Sequence, residues 1–158
     1  MAKKKKLSPQ QKKQKQDSTE RKDYLFDLIQ TSLGDIAPQS AKSINPLEMG
    51  KQVSSLLMSL CEPTFAILKG EEKLIVSVAV VAWNMSIYPE AYTFNKLKAG
   101  LKIHKGISEG GSKLVVEIAE VLKLAKEQFY PEVRCIIQNY TFKDLGNAYH
   151  LQTTVTTV

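Results

Sequence analysis

This 158-residue chain is poor in the residues that most often carry chemistry: two cysteines, two histidines, one tryptophan and only two arginines, Arg21 and Arg134. Cys61 and Cys135 lie far apart and match no metal or redox spacing. Each sits in an apolar stretch, which predicts buried, reduced thiols. Neither His104 nor His150 is spaced to serve as a base beside an activated serine or cysteine. Two histidines and two remote cysteines also make no zinc pattern. No catalytic residue, metal ligand or cofactor is therefore assigned; the reading leans to a non-enzymatic protein, with an enzyme using an unfamiliar site around Trp83 and Asn84 as the least supported alternative. The shortage of arginine argues against base-edge reading of nucleic acid. No apolar run reaches the ~20 residues that a membrane span needs.

Targeting signals are missing too. The first lysines are not followed by an apolar stretch, so no secretory signal is expected. Ala2 stands where myristoylation needs glycine, and the ending Thr156-Thr-Val158 has no prenylation cysteine. Without secretion, the glycosylation patterns at Asn84-Met-Ser86 and Asn139-Tyr-Thr141 carry no meaning. A cytoplasmic location is the expectation. Gly106 to Lys113 resembles a phosphate loop only in outline. That motif needs lysine and then a hydroxyl residue, whereas this chain has Ser112 and then Lys113. Glu109-Gly-Gly-Ser112 is read instead as a flexible link.

Charge is unevenly spread. The net charge is +6, but residues 1–16 hold seven lysines (Lys3, Lys4, Lys5, Lys6, Lys12, Lys13 and Lys15) and no acid. The remainder has 15 basic and 16 acidic residues, a net of −1. Residues 1–16 have almost no apolar side chains to offset the entropy of ordering, and they are read as a disordered tail. Pro9 would suit a first helical turn if that tail became ordered. Residues 17–158 form one globular domain.

The most apolar stretch runs from Leu74 to Trp83, where only Ser77 is polar. Its valines also suit a buried strand. The longer segment from Glu71 to Ile87 exceeds ordinary strand length, however. Glu71 and Glu72 complement the start of a helix dipole, and Pro89 ends the segment. A central helix over about 71–87 follows, covered on every side.

One-sided helices surround it in the sequence. The first is expected from about Ser18 to Leu33, with Asp17 as cap and Glu20 completing a capping pair. Leu25, Leu28, Ile29 and Leu33 make its apolar face. The second starts with Asn45 as cap, Pro46 at the first position and Glu48 three residues on. It buries Val53, Leu56, Leu57, Leu60 and Cys61, and Pro63 ends it. Phe65 to Leu68 is a short apolar link against the core. A further helix runs from about Lys113 to Phe129 on Leu114, Ile118, Val121, Leu122, Ala125 and Phe129. Its other side, with Glu117, Glu120, Lys123 and Lys126, reads as solvated. Residues 90–111 allow a short helix at Phe94, Leu97, Leu101 and His104.

From Val133 onward β-branched and aromatic residues flank Asp144-Leu-Gly-Asn147, which predicts an antiparallel hairpin. Lys143 is expected opposite Ala148, Phe142 opposite Tyr149, Tyr140 opposite Leu151 and Ile136 opposite Val155. That register leaves Ile137 as the one apolar residue on the polar side. The fold class is α+β: a bundle of four to five helices with a C-terminal antiparallel β-hairpin.

Two candidate sites remain. Trp83 and Asn84 end the apolar run. They read as a core anchor bonded to backbone, or as a pocket floor rimmed by Tyr88, Tyr92 and Phe94. Lys96, Lys98, Lys102, His104 and Lys105 lie next to the same aromatics. With the tail lysines, they suit weak, sequence-independent RNA or DNA contact. The first functional expectation is an accessory or protein-interaction protein, meeting a protein partner through the helix surface or the hairpin edge, or a second copy through the hairpin edge. The second is a nucleic-acid- or ribosome-associated protein.

Overall fold

The apolar run does form the central helix, and its surroundings show why it had to be apolar all round. The computed structural model describes residues 6–33, 48–97 and 109–158. Within them lie α1 (Pro9–Leu33), α2 (Met49–Cys61), a 3₁₀ turn (Glu62–Thr64), α3 (Glu72–Ile87), α4 (Glu109–Phe129), β1 (Cys135–Asp144) and β2 (Tyr149–Thr157). The buried residues of α3 run from Ile75 to Met85 and point in every direction around its axis. Helix α3 packs against α4, β1 and α2, while α1 lies across α4 and α2. Ser77, the polar interruption, turns its hydroxyl to the Tyr140 hydroxyl on β1. Pro89 follows the helix, and Tyr88 leaves the helical region at φ −127°. Phe65 is buried, with Ile67 and Leu68 partly buried against the same core.

Helix α1 begins at Pro9, not near Ser18, so residues 9–16 of the expected tail are helical. The cause is a capping box. Ser8 Oγ accepts from the Gln11 amide at 3.2 Å, and the Ser8 amide donates to Gln11 Oε1 at 3.0 Å. Pro9 then takes the first position, where its missing N–H costs nothing. Asp17 and Glu20 fall inside the helix. Leu25, Ile29 and Leu33 are its buried stripe. For α2 the expected stripe is buried as a set. The proposed cap Asn45 and Pro46 lie outside the described residues.

Helix α4 also starts early, at Glu109, so the stretch read as a flexible link supplies its first turn. Its polar face is not fully solvated. Glu117 is buried and receives Arg21 of α1 in a two-pronged bond, 2.9 Å from Nε and 2.7 Å from Nη2. Lys22 reaches Glu120 at 2.9 Å. Burial pulls the Glu117 carboxyl up, but the hydrogen bonds from Arg21 and Ser18 outweigh it and hold it below the ordinary range. These pairs fasten α1 to α4. Short-range sequence patterns cannot reveal them, because the partners are 96 and 98 residues apart.

The hairpin forms, with a different register. Phe142 pairs with Leu151, Lys143 with His150 and Asp144 with Tyr149, so the loop is 145–148. Gly146 adopts φ +85°, and its amide donates to Asp144 Oδ1 at 2.9 Å. A left-handed residue there favours glycine. The pairing then skips Gln138: Asn139 faces Thr154, and Ile137 faces Val155. This β-bulge corrects the expected pairing of Ile136 with Val155. It turns Cys135 and Ile137 inward, both at most 2% exposed. An extra residue in one strand reverses which side chains face the core. Ile137 is thus no exception to the pattern; the bulge puts it on the right side.

Helix α2 meets β2 at close quarters. Gly50 O accepts from Thr153 Oγ1 at 2.9 Å and from Ser54 Oγ at 2.7 Å. A Cβ at Gly50 would lie 2.8 Å from the Thr153 carbonyl oxygen. Gly50→Ala gains ~1 kcal/mol in helix propensity but loses about 1–3 kcal/mol to overpacking. The expected outcome is a lower urea midpoint and faster hydrogen exchange at the Thr153 amide. An unchanged midpoint would show that α2 does not press on β2 there.

Candidate functional site

A β-strand pairs on one side with its neighbour and leaves alternate N–H and C=O groups on the other side unpaired. At the start of β1, where Cys135 and Ile137 are buried, that outer edge lies inside the core, so its groups there need partners. Side chains of α3 and α4 supply them in a row. Asn84 Nδ2 donates to the Ile137 carbonyl at 3.0 Å, and its Oδ1 accepts from the Ile137 amide at 2.9 Å. Trp83 Nε1 donates to the Cys135 carbonyl at 2.9 Å. Lys126 Nζ donates to the Val133 carbonyl at 2.8 Å. Residues 133, 135 and 137 are alternate positions, as an outer edge requires. Three side chains thus stand where a third strand would be.

The Lys126 position was not legible in the sequence, where it read as solvated. Its residue is 2% exposed, and its ammonium lies 5.1 Å from the centroid of the Trp83 ring. Pro131 and the turn from Tyr130 to Val133 fold the chain back so that the Val133 carbonyl returns over the last turn of α4. Burial pushes the Lys126 amine down to about 8, with Arg134 adding to the fall and Cys135 opposing it. Burial raises both thiols, Cys61 to about 12. Both are free and buried, and both stay protonated near neutral pH.

Trp83 and Asn84 are therefore occupied by backbone, and each is at most 2% exposed. Tyr88 is 44% exposed at the end of α3, away from that burial. Phe94 and Leu97 pack against Val78, Val115 and Ala119. Lys96 is exposed and donates to the Ala91 carbonyl at 2.8 Å. Lys98, Lys102, His104 and Lys105 lie outside the described residues, as do Lys3, Lys4 and Lys5. Lys6, Lys12, Lys13 and Lys15 are exposed at the start of the chain, the last three on α1. Among the described residues, no group of three or more histidines, cysteines and acids could hold a metal, and no helix is long and apolar enough to cross a membrane.

The other edge of the hairpin differs. On β2 the Thr153 amide is met by Ser54 Oγ at 3.0 Å. By the period of the strand, Leu151 and Tyr149 direct their backbone groups the same way. No described residue caps them. They open instead on a groove of about 700 Å³ between β2 and α2, lined by Ser55, Met58, Ser59 and Glu62 opposite Tyr149 and Leu151. Phe65, Phe142 and Tyr149 form an aromatic cluster near the turn end of the hairpin, with Phe65 and Tyr149 rings 5.0 Å apart. Exposed His150 lines the groove as well. Sequence reasoning missed this groove, because it arises from α2 and β2 meeting across almost a hundred residues. Comparison with protein families, curated proteins and solved structures finds no match to this chain.

Two outcomes follow from the capped edge. Asn84→Ala orphans the Ile137 amide and carbonyl, each worth ~1–3 kcal/mol when buried and unsatisfied. Urea unfolding should show a loss of about 2–5 kcal/mol; a loss below ~0.5 kcal/mol would show that water or another group replaces the cap. Lys126 gives a pH dependence. Its ordinary value is 10.5 and its folded value about 8. Between those two the unfolded chain holds the proton that the folded chain has released, so stability rises with pH across that window. The rise is at most about 3 kcal/mol. The raised thiols and Tyr130 act in the opposite sense above their ordinary values. The measurement is therefore the difference between the native protein and Lys126→Met from pH 7 to 10. That difference should move in favour of the native protein.

Proposed function

We propose that the chain is a non-enzymatic protein-interaction protein of the cytoplasm, and that it takes an extended segment of a partner along the open edge of β2. The observation that carries this reading is the inequality of the two hairpin edges. The start of the β1 edge, from Val133 to Ile137, is closed by Asn84, Trp83 and Lys126. The β2 edge from Tyr149 to Leu151 opens on the groove beside α2. An added strand would bond the free backbone groups there, with side chains meeting Met58 and the serines. The walls of the groove carry both charge signs, Lys51 and Glu62, which suits a peptide better than a polyanion.

The lysines support a second reading. Lys12, Lys13 and Lys15 stand exposed on a helix end with no ion pair among the described residues. Such a cluster suits salt-sensitive nucleic-acid contact without sequence preference.

One capture experiment at physiological salt separates the two. The native chain is compared with Ser59→Trp, which fills the groove, and with a Lys12, Lys13, Lys15→Gln variant. The expected result is a protein partner kept by the glutamine variant and lost by Ser59→Trp. A partner kept by Ser59→Trp overturns the groove. Nuclease-sensitive capture, lost only by the glutamine variant, establishes the second reading instead.

A further inference from the structure

Helix α1 starts with lysines and carries its acidic residues further on, with Arg21 and Lys22 among them turned to Glu117 and Glu120 of α4. Lys12 and Lys15 precede Asp17, Glu20, Asp23 and Asp27. Taken alone, this layout is unfavourable: Lys12 and Lys15 are three apart, Asp23 and Asp27 four apart, and like charges at those spacings repel. None of these four makes an ion pair among the described residues. At ~100° per residue, Lys12, Lys15, Asp23 and Phe26 all fall within about 60° of Thr19, on one stripe. Thr19, Asp23 and Phe26 of that stripe, with Lys22 and Asp27, form one wall of a groove of about 590 Å³ between α1 and α4. The other wall is Glu120, Val121 and Leu124, and Leu124 is 51% exposed. The groove thus has an apolar floor and a rim whose open charges, Asp23 and Asp27, are acidic. Glu120 is already paired with Lys22.

We propose that a second copy of this chain fills the groove, its α1 lying antiparallel to the first about a two-fold axis at Thr19. The choice of a second copy rests on charge complementarity within one helix. Reversing α1 about Thr19 puts Lys15 of each copy opposite Asp23 of the other. The same operation lays the Lys12 stem over Phe26, with its ammonium beside Asp27. Each repelling pair becomes an attracting one, twice over. Thr19, small and exposed, lets the helices approach at the axis. The start of the second α1 covers Leu124. An isologous contact of this kind closes on itself as a dimer. It does not use the β2 groove, so it stands or falls apart from the peptide-binding reading.

The test is light scattering and sedimentation on the full chain over a concentration series. The native protein should form a dimer that weakens as salt rises. Lys15→Asp and Asp23→Lys each place like charges at two sites and should weaken the dimer by about tenfold or more. The double variant restores opposite charges in swapped order and should dimerise again. Both positions are exposed, and circular dichroism checks that each variant stays folded. A monomer at every concentration overturns the proposal. So does a dimer that the single variants leave intact, which would place the contact elsewhere, such as the hairpin edge. Single variants that fail with no recovery in the double variant overturn the antiparallel register.

Discussion

Everything in this fold turns on the need to satisfy the outer edge of β1 inside the core. A two-stranded hairpin is marginal in water, and it gains stability by lying on something apolar. Lying there buries the start of one of its edges, and a buried backbone group without a partner costs as much as a lost hydrogen bond. The chain meets this with the last turns of α3 and α4. Asn84 copies the donor and acceptor of a peptide unit, so one side chain serves both groups of Ile137. Trp83 adds a donor while its ring fills the core, and Lys126 adds another while its ammonium lies over that ring. Covering an edge with helices is a known way to keep it from pairing with other chains.

That solution fixes the arrangement of the other elements. The β-bulge at Gln138 is what brings residues 135 and 137 into the row of caps and still turns Tyr140, Phe142 and Leu151 toward the core. Helix α3 must be apolar all round because α2, α4 and β1 each press on a different side of it. Its polar residues are not breaks in that rule. Ser77 and Asn84, with the indole N–H of Trp83, bind α3 to the hairpin by polar contact. A buried cation is costly unless it is well bonded. Lys126 is tolerated because one carbonyl and one aromatic face replace part of its hydration, and the depressed amine value records what remains unreplaced.

The two surfaces proposed for contact are what these constraints leave over. Helices α3 and α4 serve the β1 side, and α2 meets the β2 edge by polar contact at Gly50 and Ser54, beyond which that edge opens on the groove. On the far side, α1 is held to α4 by Arg21 and Lys22 and by Phe26 stacked on Phe129, which leaves Lys12, Lys15, Thr19 and Asp23 exposed.

Periodicity alone determined the helices, the stripes they bury, the central position of the run from Leu74, and the existence of the hairpin. These are local matters, decided by spacing within about four residues. The start of α1 is written in the sequence too, since Ser8-Pro-Gln-Gln11 is a capping box set among lysines. Trp83 and Asn84 stood out as polar groups at the end of an apolar segment, but not what they would bind. The bulge, the burial of Glu117 and Lys126, and the open groove beside β2 were decided by tertiary structure. Each depends on which group from 50 to 100 residues away arrives to satisfy a charge or a backbone bond. A solvated face and a buried polar seam have the same spacing in sequence. Only the packed chain distinguishes them, because only there does the cost of leaving a polar group without water or a partner arise.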